Sequence, residues 1–242
     1  MKKALITGSS RGIGKAIAMR LAREGYEVIV HCASSTARAN GVRDEIVAAG
    51  GTAQTIVANL CDREQVDMLC SRVGDVDVLV LNASLQYRNP WQAIPYDEID
   101  QQLNCNFVAS VKLIQAVAEH MKAQHWGRIV TIGSVQEAKP HPDMLIYSAS
   151  KAAQTNMVRS LAIQLAGDGI TVNNVAPGVI YTDRNVEALS DPVYAKKVTD
   201  SIPVGFYGMP EDCAGIVSLL CSDDGRYITG QNIFVDGGKG IQ

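Results

Sequence analysis

Tyr147 and Lys151 stand four residues apart at the start of a helical pattern, so one face carries both. Ser134 lies thirteen residues earlier, just past the strand-like run Arg128–Ile132. A phenol, an ammonium and an alcohol brought together suit proton transfer to and from an oxygen. Hydride reduction of a ketone leaves an alkoxide that must receive a proton, and the reverse reaction must remove one. A phenol of pKa about 10 is a poor base at pH 7, a gap of roughly 4 kcal/mol. A nearby ammonium favours the phenolate, and a hydroxyl such as that of Ser134 can hold and polarise the substrate oxygen. The protein supplies position and proton transfer, and the hydride must come from a cofactor.

A place for that cofactor is written near the N-terminus. Thr7-Gly8-Ser9-Ser10-Arg11-Gly12-Ile13-Gly14 follows the first strand-like run and opens a helical pattern. Glycines let the backbone turn sharply and approach a pyrophosphate, whose charge meets the free N–H groups of the helix start. The spacing is G-x-x-x-G-x-G rather than G-x-G-x-x-G, so its position at the first strand–helix junction carries the argument. An acid near the end of the second strand would hold the ribose of NAD, but this region reads Val30-His31-Cys32-Ala33-Ser34-Ser35. Without that acid a 2′-phosphate is not repelled. Arg11, Ser34, Ser35 and Arg38 are the groups that could bind it, the guanidinium through paired charge-assisted hydrogen bonds. NADP(H) is therefore expected over NAD(H), which remains possible.

The same turn contains Gly8-x-Ser10-x-Gly12, the pattern of a hydrolase nucleophile elbow. That chemistry needs an acid and then a histidine after the serine. The histidines are His31, His120, His125 and His141, none in the last hundred residues. Their spacing matches no metal site either.

These residues must be positioned by an alternating framework. Ala4–Thr7, Glu27–His31, Thr55–Ala58, Val76–Asn82, Arg128–Ile132, Thr171–Ala176 and Ile233–Asp236 read as strands. Between them apolar residues recur at helical spacing, as in Ile13, Ile17 and Leu21 before Gly25, and in Met157, Leu161 and Leu165 before Gly167. Alternation of this kind predicts an α/β fold, a doubly wound parallel sheet with helices on both faces. No repeat or linker divides residues 1–242, so one domain is expected. Leu85–Pro95 and Tyr181–Met209 each follow a strand and exceed ordinary connections, which makes them candidate substrate walls or lids.

Composition narrows the class. Of the 242 residues 47% are hydrophobic and 19% charged, with a formal net charge of −3. That excludes disorder and argues against nucleic acid as the main partner. No apolar run approaches the ~18 residues of a membrane span. Six cysteines without a C-x-x-C pair, and no signal-peptide pattern at the start, read as reduced thiols in the cytoplasm.

Taken in order, Thr7-Gly8-x-x-x-Gly12-x-Gly14, Asn82-Ala83, Asn106, Ser134, Tyr147-x-x-x-Lys151, Asn173, Pro177-Gly178 and Val235-Asp236-Gly237-Gly238 resemble the short-chain dehydrogenase/reductase family along essentially the whole chain. In appearance it is most like 3-oxoacyl-[acyl-carrier-protein] reductases, through Gly127–Ser134. The resemblance implies one Rossmann-type domain with a seven-stranded parallel sheet, and a homotetramer or homodimer. It implies Tyr147 as general acid/base, Lys151 as pKa-lowering residue and ribose ligand, Ser134 as carbonyl-orienting residue and Asn106 as part of a water relay. The dinucleotide would lie against Gly8, Ser10, Arg11, Gly12, Ile13, Gly14, Ser34, Asn59, Leu60, Asn82, Ala83, Tyr147, Lys151, Pro177, Gly178, Ile180 and Thr182. Two positions depart from the family pattern: Ser84 replaces a glycine beside the cofactor, and Asn59 an aspartate near the adenine.

Family position and strand direction suggest a pocket of Gln86, Gln136, His141, Met144, Val179 and Tyr181, closed by Ser134 and Tyr147. This mixture suits a small ketone, diketone, sugar or polyol. An acyl carrier is acidic and would favour basic residues at the pocket mouth. Arg128 could serve, but Asp168 stands where a second base would help, which leans away from carrier-bound substrates without removing 3-oxoacyl thioesters as the alternative. A reading of another class is a dinucleotide-binding sensor without catalysis, since fold alone does not separate the two.

Overall fold

Short runs of buried aliphatics form β1 (Lys3–Ile6), β2 (Glu27–Cys32), β3 (Thr52–Val57), β4 (Val78–Leu81), β5 (Gly127–Ile132), β6 (Ile170–Pro177) and β7 (Asn232–Val235). In the computed structural model, which describes residues 1–241 and the backbone alone for 187 and 188, these make one sheet of order β3-β2-β1-β4-β5-β6-β7. All neighbouring strands are parallel. The chain order reverses between β1 and β4, and ligands bind at such a switch point beyond the carboxyl ends of the strands.

Parallel sheets are covered on both faces, so their strands read as continuous apolar runs. β4 is Val-Leu-Val-Leu, fully buried. Its Val78 and Val80, with Ala4 and Ile6, pack on α1 (Gly12–Arg23), α2 (Thr36–Ala48) and α9 (Pro210–Cys221). The alternate residues Leu5, Leu79 and Leu81 pack on α3 (Arg63–Cys70), α5 (Ala109–Ala123) and α6 (Leu145–Leu165). The periodic residues Ile17 and Leu21 of α1 are wholly buried, and Gly25, at φ +87, ends the helix in the left-handed region.

Two expectations need adjusting, and one feature was not anticipated. β3 begins at Thr52, not Thr55, because polar residues of this edge strand also pair with β2. α4 (Tyr96–Leu103) runs into α5 through a π-helical turn, Asn104–Val108, which helical periodicity does not mark. The segment Tyr181–Met209 is not a bare loop: it carries α7 (Val186–Leu189) and α8 (Pro192–Asp200), and an Ile180–Gly208 bridge ties its ends. No helix among the described residues is long and apolar enough to cross a membrane.

Candidate active site

The loops beyond the carboxyl ends of β1 to β6 enclose a cavity of about 1040 Å³. Its nucleotide-like end is built by the glycine turn. Thr7 Oγ1 accepts from the N–H groups of Asn82 and Ala83, and Asn82 Nδ2 donates back to the carbonyls of Thr7 and Gly8. The amide of Gly8 donates to His31 Nδ1 at 3.0 Å, and His31 Nε2 lies 2.9 Å from the Ala58 carbonyl. Those bonds fit the neutral ring with its proton on Nε2, and burial pushes His31 down to about 4. α1 then starts with no side-chain cap and no acid in its first turn, and Gly12 and Ile13 face the cavity. Gly14 is required by close approach: a Cβ there would stand 2.5 Å from the Gly8 carbonyl oxygen. An uncapped helix start beside a guanidinium is a donor set that fits a pyrophosphate. At the end of β2 the wall is His31, Cys32 and Ala33, so no carboxylate faces it there.

At the other end, Ser134 follows β5 and its hydroxyl caps the 3₁₀ turn Val135–Glu137, accepting from Gln136 N at 3.2 Å. Tyr147, in the first turn of α6, is hydrogen-bonded to Ser134. The Lys151 ammonium donates to the Ile132 carbonyl at 2.7 Å and to Gln154 Oε1 at 2.9 Å. It stands 5.8 Å from the centre of the Tyr147 ring.

Burial dominates both titrations. It pushes the phenol of Tyr147 upward, opposed by the nearby Arg184 guanidinium and by Ser134. Burial, with Arg184 second, brings Lys151 down to about 8. The expected lowering of the phenol by Lys151 is therefore not the leading effect in this geometry; Arg184 takes that place.

The cavity is lined by most of the residues expected from the sequence: Gly8, Ser10, Arg11, Gly12, Ile13, Asn59, Leu60, Asn82, Ala83, Pro177, Gly178, Ile180 and Thr182 toward one end, and Gln86, Ser134, Gln136, His141, Met144, Tyr147 and Val179 toward the other. Gly14, Ser34, Asn106, Lys151 and Tyr181 are not on the lining. Gly14 sits behind the turn and Lys151 behind Tyr147. Ser34 is exposed beyond β2. Tyr181 stacks on Tyr207, ring centres 5.5 Å apart. Asn106, wholly buried in the π-helical turn, spends its amide on the Leu85 backbone and on Ser150 Oγ, so its side chain braces the floor.

Two findings were not read from the sequence. Arg128 is not available at the pocket mouth: it is buried and bonded to the carbonyls of Gly127, Gly169 and Ser222. Arg184 reaches the cavity from the segment after β6, donating through Nη2 to the Ser84 carbonyl at 3.0 Å and to Ser84 Oγ at 3.4 Å. Its neighbour Asp183 pairs with Arg11 at 3.3 Å, and Thr182 packs beside Gly12. Residues 182–184 thus strap across the cavity. The departure at Ser84 was a signal on one side of this contact; an arginine in a polar turn gave none on the other.

A sheet of this order with a glycine-rich turn at its switch point is a Rossmann-type dinucleotide-binding architecture. Residues 2–192 match the family model described as short chain dehydrogenase, and the chain belongs to that family of oxidoreductases. It is 40% identical over 241 residues to the 3-oxoacyl-[acyl-carrier-protein] reductase FabG of Staphylococcus aureus, covering 98% of this chain and 97% of the relative. Among solved structures it resembles a 3-oxoacyl (acyl-carrier-protein) reductase from Agrobacterium tumefaciens with NADP bound (TM-score 0.93, 37% identity, 98% of this chain and 93% of the other). It also resembles a gluconate 5-dehydrogenase from Burkholderia cenocepacia in complex with NADP and tartrate (TM-score 0.91, 31% identity, 100% and 96%).

Proposed function

We propose that this protein transfers a hydride between NADP(H) and the carbonyl or secondary alcohol of a small molecule. The observation that carries the reading is the Ser134–Tyr147 hydroxyl pair at one end of a cavity whose other end is the open start of α1. When bound, the nicotinamide supplies or takes the hydride at the carbon of the C–O group. Ser134 holds the substrate oxygen. As the carbonyl π electrons pass to that oxygen, the Tyr147 phenol gives it a proton; in the reverse direction the phenolate removes one. Lys151, behind the ring, stabilises the phenolate electrostatically and needs its proton to do so. Asn106 steadies the backbone of Leu85 at the wall.

The absence of an acid after β2 and the NADP held by both solved relatives support NADP(H). Steady-state kinetics with both cofactors tests this, and equal or better kcat/KM with NADH overturns it. Replacing Tyr147 with Phe should lower turnover by about 10²- to 10⁴-fold while NADPH still binds. Wild type and variant equally inert on every carbonyl tried would instead favour a sensor.

A second reading, reduction of a 3-oxoacyl thioester, is favoured by the 40% identical relative. Burial of Arg128 weighs against docking of an acidic carrier. Rates on acetoacetyl thioesters beside a panel of sugars, sugar acids and diketones decide between them. A cytoplasmic homotetramer or homodimer fits the family and the free thiols; sizing by light scattering tests the assembly.

A further inference from the structure

The guanidinium of Arg184 has no carboxylate partner among the ion pairs of the described residues. The acid next to it in sequence, Asp183, turns the other way to Arg11. Its own hydrogen bonds go to neutral oxygens, those of Ser84 and the Tyr147 hydroxyl. The other charges that act on Tyr147 and Lys151 are few. Glu137 is the carboxylate among them, and it is engaged by Asn174 Nδ2 and Asn232 Nδ2. Arg184 on the wall and Lys151 behind it are the cations next to the Tyr147 ring, and of the cations on the lining, which include Arg88, Lys139 and Lys239, Arg184 is the one hydrogen-bonded to the phenol that would hold a reacting oxygen.

Guanidinium forks match carboxylates through paired N–H···O bonds. With the carbonyl oxygen between Ser134 and Tyr147, the guanidinium is placed for a carboxylate one or two carbons from that carbonyl. Thr182 and Asp183 face the glycine turn through Gly12 and Arg11, whereas the guanidinium of Arg184 is bonded to Ser84 and the Tyr147 hydroxyl. Ser84, which replaces the family's glycine, gains its purpose here: its carbonyl and hydroxyl hold Arg184 in that position.

We propose that Arg184, held by Ser84, binds a substrate carboxylate, so that the enzyme acts on small oxo acids and the matching hydroxy acids in preference to neutral carbonyl compounds. This deepens the carbonyl-reductase reading and rests on it.

The test compares matched pairs at saturating NADPH: 2-oxobutanoate with 2-oxobutanamide, and acetoacetate with acetoacetamide. For wild type, kcat/KM should favour at least one acid over its amide by about 10- to 100-fold, the scale of a charge-assisted pair. Arg184→Met should collapse that ratio toward one, mainly through KM. Arg184→Lys should keep part of it, and Ser84→Gly should reduce it. Equal use of acid and amide by wild type, or a ratio unmoved in Arg184→Met, overturns the proposal. So does a weakened NADPH dissociation constant in Arg184→Met with the ratio intact, which would assign the guanidinium to the cofactor. Turnover of amides but not acids leaves the reductase reading standing and removes this one. If no carbonyl is reduced, the reductase reading falls, and calorimetry of oxamate binding to the NADP⁺-loaded protein takes over. Binding to wild type lost in Arg184→Met then supports a carboxylate site, and equal or absent binding in the two rejects it.

Discussion

His31 is a side chain whose value lies in staying uncharged. Nδ1 accepts from the Gly8 amide and Nε2 faces the Ala58 carbonyl, so a second proton would set N–H against N–H in the cofactor turn. Its pKa falls from 6.5 to about 4. Between those values the unfolded chain binds the proton and the native protein does not, so stability declines as pH falls from about 6.5 to 4, by up to about 3 kcal/mol. Urea midpoints across that range should show the decline, and His31→Gln should flatten it. Lys151 imposes the opposite limit on activity. It loses its proton near pH 8, so reductive kcat should fall as pH rises beyond about 8, where a neutral amine no longer supports proton transfer by Tyr147. A kcat–pH profile that stays flat to pH 10 would contradict that role. The glycine turn, the missing acid at Cys32 and the Ser134–Tyr147–Lys151 spacing were all readable from residue type. The inward turn of Arg184 and the burial of Arg128 were not, because an isolated arginine carries no periodicity and its direction is settled by tertiary neighbours.

Among the elements, the short turn Val135–Glu137 has weight beyond its length. Glu137 reaches back to the amide of Ser134 and takes hydrogen bonds from Asn174 on β6 and Asn232 on β7. It thereby ties the serine at the end of β5 to β6 and β7. Glu137→Ala takes the acceptor from Asn232 Nδ2, while Asn174 Nδ2 keeps Thr155 Oγ1 and Asn232 Oδ1, and should cost about 1–3 kcal/mol of stability, with kcat reduced more than NADPH affinity. Thermal melts beside kinetics would show both. Gly14→Ala makes the contrary case: its Cβ would meet the Gly8 carbonyl oxygen and Asn82 Nδ2 at 2.5 Å. Displacing the turn should weaken NADPH binding by at least about tenfold, on the scale of 1–3 kcal/mol for overpacking, as a calorimetric titration would read. Strands and long helices were legible as aliphatic runs and fourfold spacing. The π-helical turn was invisible, since one extra residue in a helix leaves the surrounding pattern intact while swinging Asn106 inward.

For the whole molecule, the parallel sheet followed from alternation and its seven strands from the family resemblance, while the switch point between β1 and β4 emerged only from the strand order. A ligand that spans the loops of six strands should stabilise the native state by mass action. At a hundred times its dissociation constant NADPH contributes about 2.7 kcal/mol, which for a domain of this size is a rise in Tm of roughly 5–10 °C. NADH at equal concentration should give less, and the reverse ranking would count against the preference for the phosphorylated cofactor.

The strap at residues 182–184 differs from all this in how little it contributes to folding. Asp183 and Arg184 are exposed, and Ser84 opposite belongs to no strand or helix. A lineage can therefore exchange those side chains without disturbing the sheet, and so trade one metabolic diet for another by a pair of codon changes while the hydride machinery is inherited whole.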